Sequence, residues 1–512
     1  MKSGFVAALP LLVMTSLPAA AQTRPNAASS ASCERLASLA LPHTTITLAQ
    51  TVAAGAFTPP AGRGRGAALY AGAPAFCRVA ATLAPSSDSD IKIEVWLPVS
   101  GWNGKFQAVG NGGWAGVISY TALAQAIAGG YAGASTDTGH TGNSGAFALG
   151  HPEKVIDLGY RAVHEMTAQA KAIIDAYYHA APSVSFWNGC SQGGRQGITE
   201  AQRYPADFDA IVAGAPAVNW IALHGARVAI SQMVHRSAES AVPPEKFPAI
   251  HDAVLAACDA LDGVKDGVIE NPMRCHFDPK VMLCKGADGP SCLTPPQADT
   301  VRALYTQALH TANGAGRFPA LLQPGSELGW AILAGPKPID TVQDAFRYLV
   351  FDDPNWDWRR FTPDTDIALA MKKVGDVVNS GDTNLKPFFD RGGKLLMYHG
   401  WADQQVASMN SVNYFNAVVA RSGHAVAGKS IELYMVPGMG HCAGGPGTDQ
   451  FDKMAAIEQW VKTGTAPDAI VAAHRTNGAV DRTRPLCPFG KVARWKGTGS
   501  TDDAANFACA AE

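Results

Sequence analysis

The 512-residue chain is poor in charge, with 16% Asp, Glu, Lys and Arg and a net charge of −2 at pH 7. So even a balance carries no electrostatic footprint for nucleic acid and no polybasic patch for a membrane surface. There is no glycine period and no heptad run, which excludes collagen-like and coiled-coil classes. Beyond the first residues, no apolar run approaches the ~20 residues needed to cross a bilayer. None of the ten cysteines stands in C-x-x-C spacing, so zinc and thioredoxin-like signatures are missing. No Asn-x-Ser/Thr sequon and no internal repeat occurs. What is present is 47% hydrophobic residues, enough to exclude disorder and to build one very large domain or a few ordinary ones.

The first residues read as an export leader rather than as part of the fold. Lys2 gives a positive start, Phe5 to Leu17 a short apolar stretch, and Ala19-Ala20-Ala21 a small-residue cleavage site before Gln22. Removal of residues 1–21 leaves no membrane anchor and places the mature chain in the periplasm or outside the cell. There the cysteines read as disulfides rather than as redox or metal sites.

Residues 22–60 look irregular apart from a short apolar piece near Thr45 to Leu48. From Ile91 a regular pattern begins. Ile91, Ile93, Val95 and Leu97 alternate with Lys92, Glu94 and Trp96, the period of a strand. Further strands are expected over Lys105 to Val109, Tyr131 to Ser135, Val184 to Trp187 and Phe208 to Val212. Helices are expected over Val155 to His179 and from Gln192 to about Tyr204. The middle third has helix-like stretches, many Pro and Gly, and four of the cysteines. The rhythm then resumes with a strand over Lys394 to Tyr398, a helix over Ser408 to Arg421, a strand over Ile431 to Val436 and a helix over Gln450 to Lys462. Alternating strands and helices argue for an α/β class with a parallel sheet, interrupted by one insertion. The divisions are 22–216 and 390–512 for the two parts of the sheet domain and 217–389 for the insertion.

Gly189-Cys190-Ser191-Gln192-Gly193 matches G-x-S-x-G between a strand and a helix, the context of a nucleophile elbow. The Gln192 backbone N–H at the helix start is placed to stabilise an oxyanion. A serine needs a base and an orienter. Asp403 and His441 follow the two strands after the insertion, in the order Ser, Asp, His. His399 is a rival base, but it precedes Asp403 and breaks that order. The neighbours of the pair are also informative: Cys190 precedes Ser191 and Cys442 follows His441. If serine and histidine meet, these cysteines come near disulfide range, and a bond between them clamps the histidine loop to the elbow.

On Gly189-Cys190-Ser191-Gln192-Gly193-Gly194, Asp403 and His441-Cys442, the chain resembles the tannase/feruloyl esterase family. The pieces Phe208-Asp209-Ala210-Ile211-Val212-Ala213-Gly214-Ala215-Pro216 and Trp460-Val461-Lys462-Thr463-Gly464 extend the likeness over most of the mature sequence. The terephthalate monoester hydrolase of plastic-degrading bacteria is similar to the same family. The resemblance implies an α/β-hydrolase fold with a large inserted lid, a triad bridged by Cys190–Cys442, and the further disulfides Cys33–Cys77, Cys258–Cys275, Cys284–Cys292 and Cys487–Cys509. It also implies a structural Ca²⁺ in the lid, held by Asp259, Asp262 and Asp266 with the carbonyls of Val264 and Val268. Hard oxygens on a glycine-bent loop suit that ion. The second oxyanion donor is expected at Gly112 or Gly113, in Gly110-Asn111-Gly112-Gly113. Trp330, Phe346 and Tyr348 are candidates to hold an aromatic acyl group, with Arg347 meeting a carboxylate or phenol.

The expected activity is hydrolysis of small aromatic esters by an exported serine carboxylic esterase without an organic cofactor. Galloyl, hydroxycinnamoyl and terephthalate monoesters all remain open. Within the enzyme class the competitor is a serine peptidase or another acyl transferase. Outside it, the competitor is a catalytically silent, Ca²⁺-dependent binding protein on the same fold.

Overall fold

The computed structural model describes residues 32–60, 67–306 and 318–512, with Met1, Gly4, Leu309 and Thr311. The leader read over 1–21 lies outside the described residues except for Met1 and Gly4. Nine strands form one sheet: β1 (Thr44–Val52), β2 (Phe76–Leu83), β3 (Ile91–Pro98), β4 (Lys105–Val109), β5 (Ala132–Thr136), β6 (Val184–Cys190), β7 (Ala210–Gly214), β8 (Lys394–Gly400) and β9 (Ile431–Val436). Their order is β1-β2-β3-β5-β4-β6-β7-β8-β9. The first three pairings are antiparallel, and every pairing from β5 to β9 is parallel. Parallel strands need crossovers that cover both faces, and β7 is accordingly buried along its whole length. This is an α/β sheet with helices on both sides, the architecture of an α/β-hydrolase.

Between β7 and β8 the described residues contribute no strand to the sheet. Helices Trp220–Val234, Phe247–Cys258, Pro295–Thr306 and Pro363–Val378 occupy this stretch, with long segments of short helical turns and irregular chain between them. Their apolar stripes meet in one core with Trp330, Phe346, Trp356 and Phe361, and this core continues into Trp114, Val155 and Leu158 beneath the ends of the sheet.

Several sequence expectations need correction. Residues 22–60 are not irregular throughout, because Cys33–Ser38 is a 3₁₀ turn and β1 pairs with β2. Neither strand announces itself: β1 is a half-exposed edge rich in Thr, and β2 has alanines on both faces. Two hairpins also close the chain after residue 470, pairing Ile470–Thr476 with Ala479–Leu486 and Lys491–Trp495 with Phe507–Ala511. The helix expected from Val155 begins at Pro152 and passes through a π turn, Asp157–Arg161, before continuing over Ala162–Tyr178. In β3 Lys92 is exposed, but Glu94 is not solvated. Glu94 is buried and accepts from Arg78, from the Trp96 indole at 2.7 Å and from the Tyr120 hydroxyl at 2.9 Å.

Candidate active site

Ser191 stands between β6 and helix Gln192–Arg203 with φ 64° and ψ −121°. Such backbone costs about 1–3 kcal/mol in a non-glycine residue and persists where the surroundings impose it. Here the Ser191 N–H donates to the Gly214 carbonyl at 2.9 Å and the Ser191 carbonyl accepts from the Arg195 N–H at 3.0 Å. A Cβ at Gly189 would lie 2.5 Å from the Gly193 carbonyl, so this turn can close only with glycine there.

The elbow helix is anchored by a residue that sequence reasoning missed. Arg195 is fully buried and donates to the carbonyls of Leu158 (3.0 Å), Gly159 (3.1 Å) and Val378 (2.9 Å). Two of those acceptors lie in the π turn, which turns backbone acceptors toward the guanidinium instead of along the helix. Burial pushes Arg195 down to about 9. A charged residue on the buried face of the elbow helix was the available signal.

His441 and Asp403 come from the loops after β9 and β8 and converge on Ser191. His441 Nε2 lies 2.8 Å from Ser191 Oγ, and His441 Nδ1 lies 2.7 Å from Asp403 Oδ2. Asp403 accepts only, so Nδ1 carries the proton and Nε2 is free to accept from the serine hydroxyl. The other Asp403 oxygen accepts backbone N–H groups of Gln405 (2.7 Å) and Val406 (2.9 Å). Burial pushes the Asp403 carboxyl up, but the charges and hydrogen bonds of His441 and His399 outweigh it and hold the group well below the usual carboxylate range. Thus Asp403 stays ionised and fixes the imidazole. The Ala402 N–H donates to the Met439 carbonyl at 3.0 Å, binding the two loops together.

The structure joins the five cysteine pairs expected from the resemblance, with Cys190 and Cys442 at a Cα separation of 6.1 Å. Cys442 has φ 66°. Left-handed backbone therefore occurs at both ends of the clamp, at the serine after one cysteine and at the other cysteine itself.

Gly112 and Gly113 border the cavity that contains Ser191, Gln192 and His441, a space of about 420 Å³. Asn111 fastens this loop to the sheet and the elbow helix. Its amide nitrogen donates to Ala115, Val117 and Thr136 carbonyls, and its oxygen accepts from Gln196 at 2.8 Å. Gly113 has φ 60°, and a Cβ there would lie 2.1 Å from Asn143 Oδ1, the atom that accepts the Trp114 N–H at 2.8 Å.

The residues proposed for the acyl group are elsewhere. Trp330 and Phe346 are buried in the helical core, Trp330 against Phe247 and Tyr305, Phe346 against Trp356 and Phe361. Arg347 donates to the Trp356 carbonyl at 3.3 Å and lies over Tyr348. None of these four lines the cavity. Aromatic residues in a helical segment fill its core as readily as a site, so composition could not separate the two roles. Instead the cavity wall carries Trp114, Trp220, His224, Arg227, Leu333 and Val406.

The acidic loop follows helix Phe247–Cys258. Asp259 accepts from the N–H groups of Asp266 (3.2 Å) and Gly267 (3.0 Å), and Asp262 from Val264 (2.9 Å). Asp266 pairs with Arg484 of the strand Ala479–Leu486, while Arg482 of the same strand donates to the Asp266 carbonyl at 3.0 Å. Among the described residues Asp259 and Asp262 have no ion-pair partner. Oxygen donors of this kind are of the type a hard cation takes, but Asp266 is already paired with Arg484 and the three carboxylates do not converge on one point.

The model of the "Tannase and feruloyl esterase" family matches residues 77–510. An uncharacterised esterase of Xanthomonas campestris pv. campestris is 38% identical, covering 94% of this chain and 92% of its own. A probable feruloyl esterase B-1 of Aspergillus flavus is 35% identical over 85% and 86%. The crystal structure of feruloyl esterase B from Aspergillus oryzae superimposes with a TM-score of 0.87 at 32% identity, covering 93% of this chain and 99% of that one. The tannin acyl hydrolase of Aspergillus niger shares the fold, with a TM-score of 0.74 at 21% identity. The chain belongs to the tannase and feruloyl esterase family of carboxylic ester hydrolases.

Proposed function

We propose that the chain is an exported serine esterase that cleaves esters of aromatic, phenolic acids through Ser191, His441 and Asp403. The observation that carries this reading is the relay Ser191 Oγ–His441 Nε2–Asp403 Oδ2 at 2.8 and 2.7 Å at the edge of a cavity of one-ligand size. The proton of the Ser191 hydroxyl passes to His441 Nε2 as Oγ bonds to the ester carbonyl carbon. The carbonyl oxygen becomes an oxyanion, held by the N–H of Gln192 at the helix start and by that of Gly112 or Gly113. Collapse expels the alcohol, which takes the proton from His441 Nε2. Water then gives a proton to His441 and its oxygen to the acyl carbon, and the acid leaves as Ser191 regains its proton. Asp403 stays ionised throughout, stabilising the imidazolium.

The leader-like start and five disulfides support an oxidising compartment, periplasmic or extracellular. The two-part hydrolase domain (22–216 and 390–512) carries the chemistry, and the inserted 217–389 lid roofs the cavity. A structural Ca²⁺ in the lid loop would be held by the carboxylates of Asp259, Asp262 and Asp266 and the carbonyls of Val264 and Val268, with Asp266 released from Arg484; it would stiffen the loop and take no part in the reaction.

A fluorophosphonate probe tests the reading. Labelling of the wild-type chain that vanishes in Ser191→Ala, together with loss of methyl ferulate and methyl gallate hydrolysis, is expected. Equal labelling of both proteins would sink it.

A further inference from the structure

Helix Trp220–Val234 turns four residues toward the cavity: Trp220, Leu223, His224 and Arg227. Their spacing of i, i+3, i+4 and i+7 puts them on a single face. An apolar stripe on that face would be ordinary lid core, but this one carries a cation and an imidazole. Trp220 and His224 have ring centroids 4.1 Å apart, and Trp114 meets Trp220 edge-on at 5.4 Å.

Arg227 is held by one acceptor. Its Nε and Nη2 both donate to the Gln405 carbonyl, at 3.1 and 2.7 Å. Among the described residues no carboxylate pairs with it. Asp403, whose charge acts on Arg227, is committed to His441, His399 and two backbone N–H groups. The guanidinium has five N–H donors, so most of its donor capacity remains for the cavity. Arg227 is half-buried, whereas His224 is buried and its Nδ1 has no hydrogen-bond partner among the described residues. Burial, with Arg227's charge adding to it, pushes His224 well below its usual range, so the ring is neutral and offers one donor and one acceptor. Arg227 is pushed down by burial to about 10, still charged at neutral pH. A half-buried cation with no carboxylate in ion-pair contact and an unpaired buried imidazole nitrogen are both costly in a finished interior. In the wall of a reaction cavity they are groups awaiting a ligand.

We infer that Trp220, His224 and Arg227 form the subsite for the acyl ring, and that the ring carries an oxygen, phenolic or carboxylate, which accepts a hydrogen bond from Arg227. This rests on the serine esterase reading above and deepens it: it assigns where the aromatic acid lies and which substituent is recognised. The ring packs against Trp220 and Trp114. A phenolic O–H accepts from Arg227 and donates to the imidazole, whereas a carboxylate accepts from both. Either oxygen takes Arg227 donors that no protein acceptor uses.

Binding rather than turnover tests this. Ser191→Ala protein is titrated calorimetrically with two ester pairs: methyl cinnamate against methyl 4-hydroxycinnamate, and methyl benzoate against monomethyl terephthalate. The expected result is at least tenfold tighter binding of the oxygenated member in at least one pair, and the pair that shows it names the oxygen. Adding Arg227→Leu brings that ratio to within twofold, and Arg227→Lys restores part of it. Equal affinities within both pairs of the Ser191→Ala protein overturn the proposal, as does an Arg227→Leu variant that weakens all four esters alike. Since the ratios are read without turnover, a failure of Ser191 as nucleophile appears separately, as unchanged hydrolysis in Ser191→Ala.

Discussion

Asp403 Oδ2 receives two imidazoles at once, His441 Nδ1 at 2.7 Å and His399 Nε2 at 3.0 Å. His399 is fully buried at the end of β8; its Nδ1 meets the Ser411 hydroxyl at 2.7 Å, and Nε2 also reaches the Val406 carbonyl at 3.1 Å. Chain order therefore excluded the right residue as base while hiding its work. His399 holds the carboxylate that holds the base. Its loss in His399→Ala removes one charge-assisted hydrogen bond of about 1.5–3 kcal/mol. The expected outcome is a kcat lower by about tenfold or more, with KM for methyl ferulate moving little, and probe labelling of Ser191 slowed in parallel.

The Cys190–Cys442 bond is expected to serve both folding and catalysis. In the chain-entropy account a loop of 252 residues corresponds to roughly 5 kcal/mol, an upper figure because denatured chains retain structure. The double variant Cys190→Ala/Cys442→Ala should stay folded by circular dichroism with a lower melting temperature. Its kcat should fall at least tenfold as the histidine loop loses its register with Ser191. Unchanged kinetics would show that the loop is positioned without the bond.

At Gly113 the expected effect is steric. Gly113→Ala places a methyl group against Asn143 Oδ1 in a backbone region that alanine resists. The donor loop must shift, and kcat should drop by about 10²–10³, the usual cost of an oxyanion donor. Steady-state kinetics on methyl ferulate check it, and a drop of less than twofold would remove this loop from the reaction.

If the 259–268 loop holds Ca²⁺, chelation should lower the melting temperature and added Ca²⁺ should restore it, because an ion bound only by the folded chain stabilises it. Differential scanning fluorimetry with and without a chelator reads this directly. A temperature that does not move would mark the loop as metal-free.

One pH effect follows from Asp137, at the end of β5 before the loop that carries Asn143. Burial pushes its carboxyl up to about 7, against backbone N–H bonds from Gly139 and Lys92, with Asp90's charge adding and that of Lys92 opposing. In the window between the ordinary carboxylate range and about pH 7 the folded chain holds a proton that the unfolded chain has lost. Stability therefore falls as pH rises through this window and levels off above it. Chemical denaturation from pH 4.5 to 7.5 should show this decline, flattened in Asp137→Asn; an identical slope in both proteins would assign it to other groups.

The sequence revealed the interior of the sheet because strands such as β3 and β9 combine alternation or continuous apolar runs with abrupt turn signals. The edge strands and closing hairpins escaped because short, half-exposed pairs owe their structure to partners rather than to their own pattern. At the site, Ser191, Asp403 and His441 were legible through a motif and a chain order, and Cys190 and Cys442 through adjacency. Trp220, His224 and Arg227 were not. On a lid helix their spacing is that of any buried stripe, and only the cavity distinguishes them from core. The same ambiguity misdirected attention to Trp330, Phe346 and Arg347, whose partners are other side chains and a backbone carbonyl of the helical segment.

The bond between Cys190 and Cys442 also makes a covalent ring of everything between them, the whole roof over the cavity included. A protease that cuts the roof once, in any of its many exposed turns, opens the ring without dividing the molecule. Serine and histidine would still travel together, on two chains joined by sulfur, and only a reductant would part them.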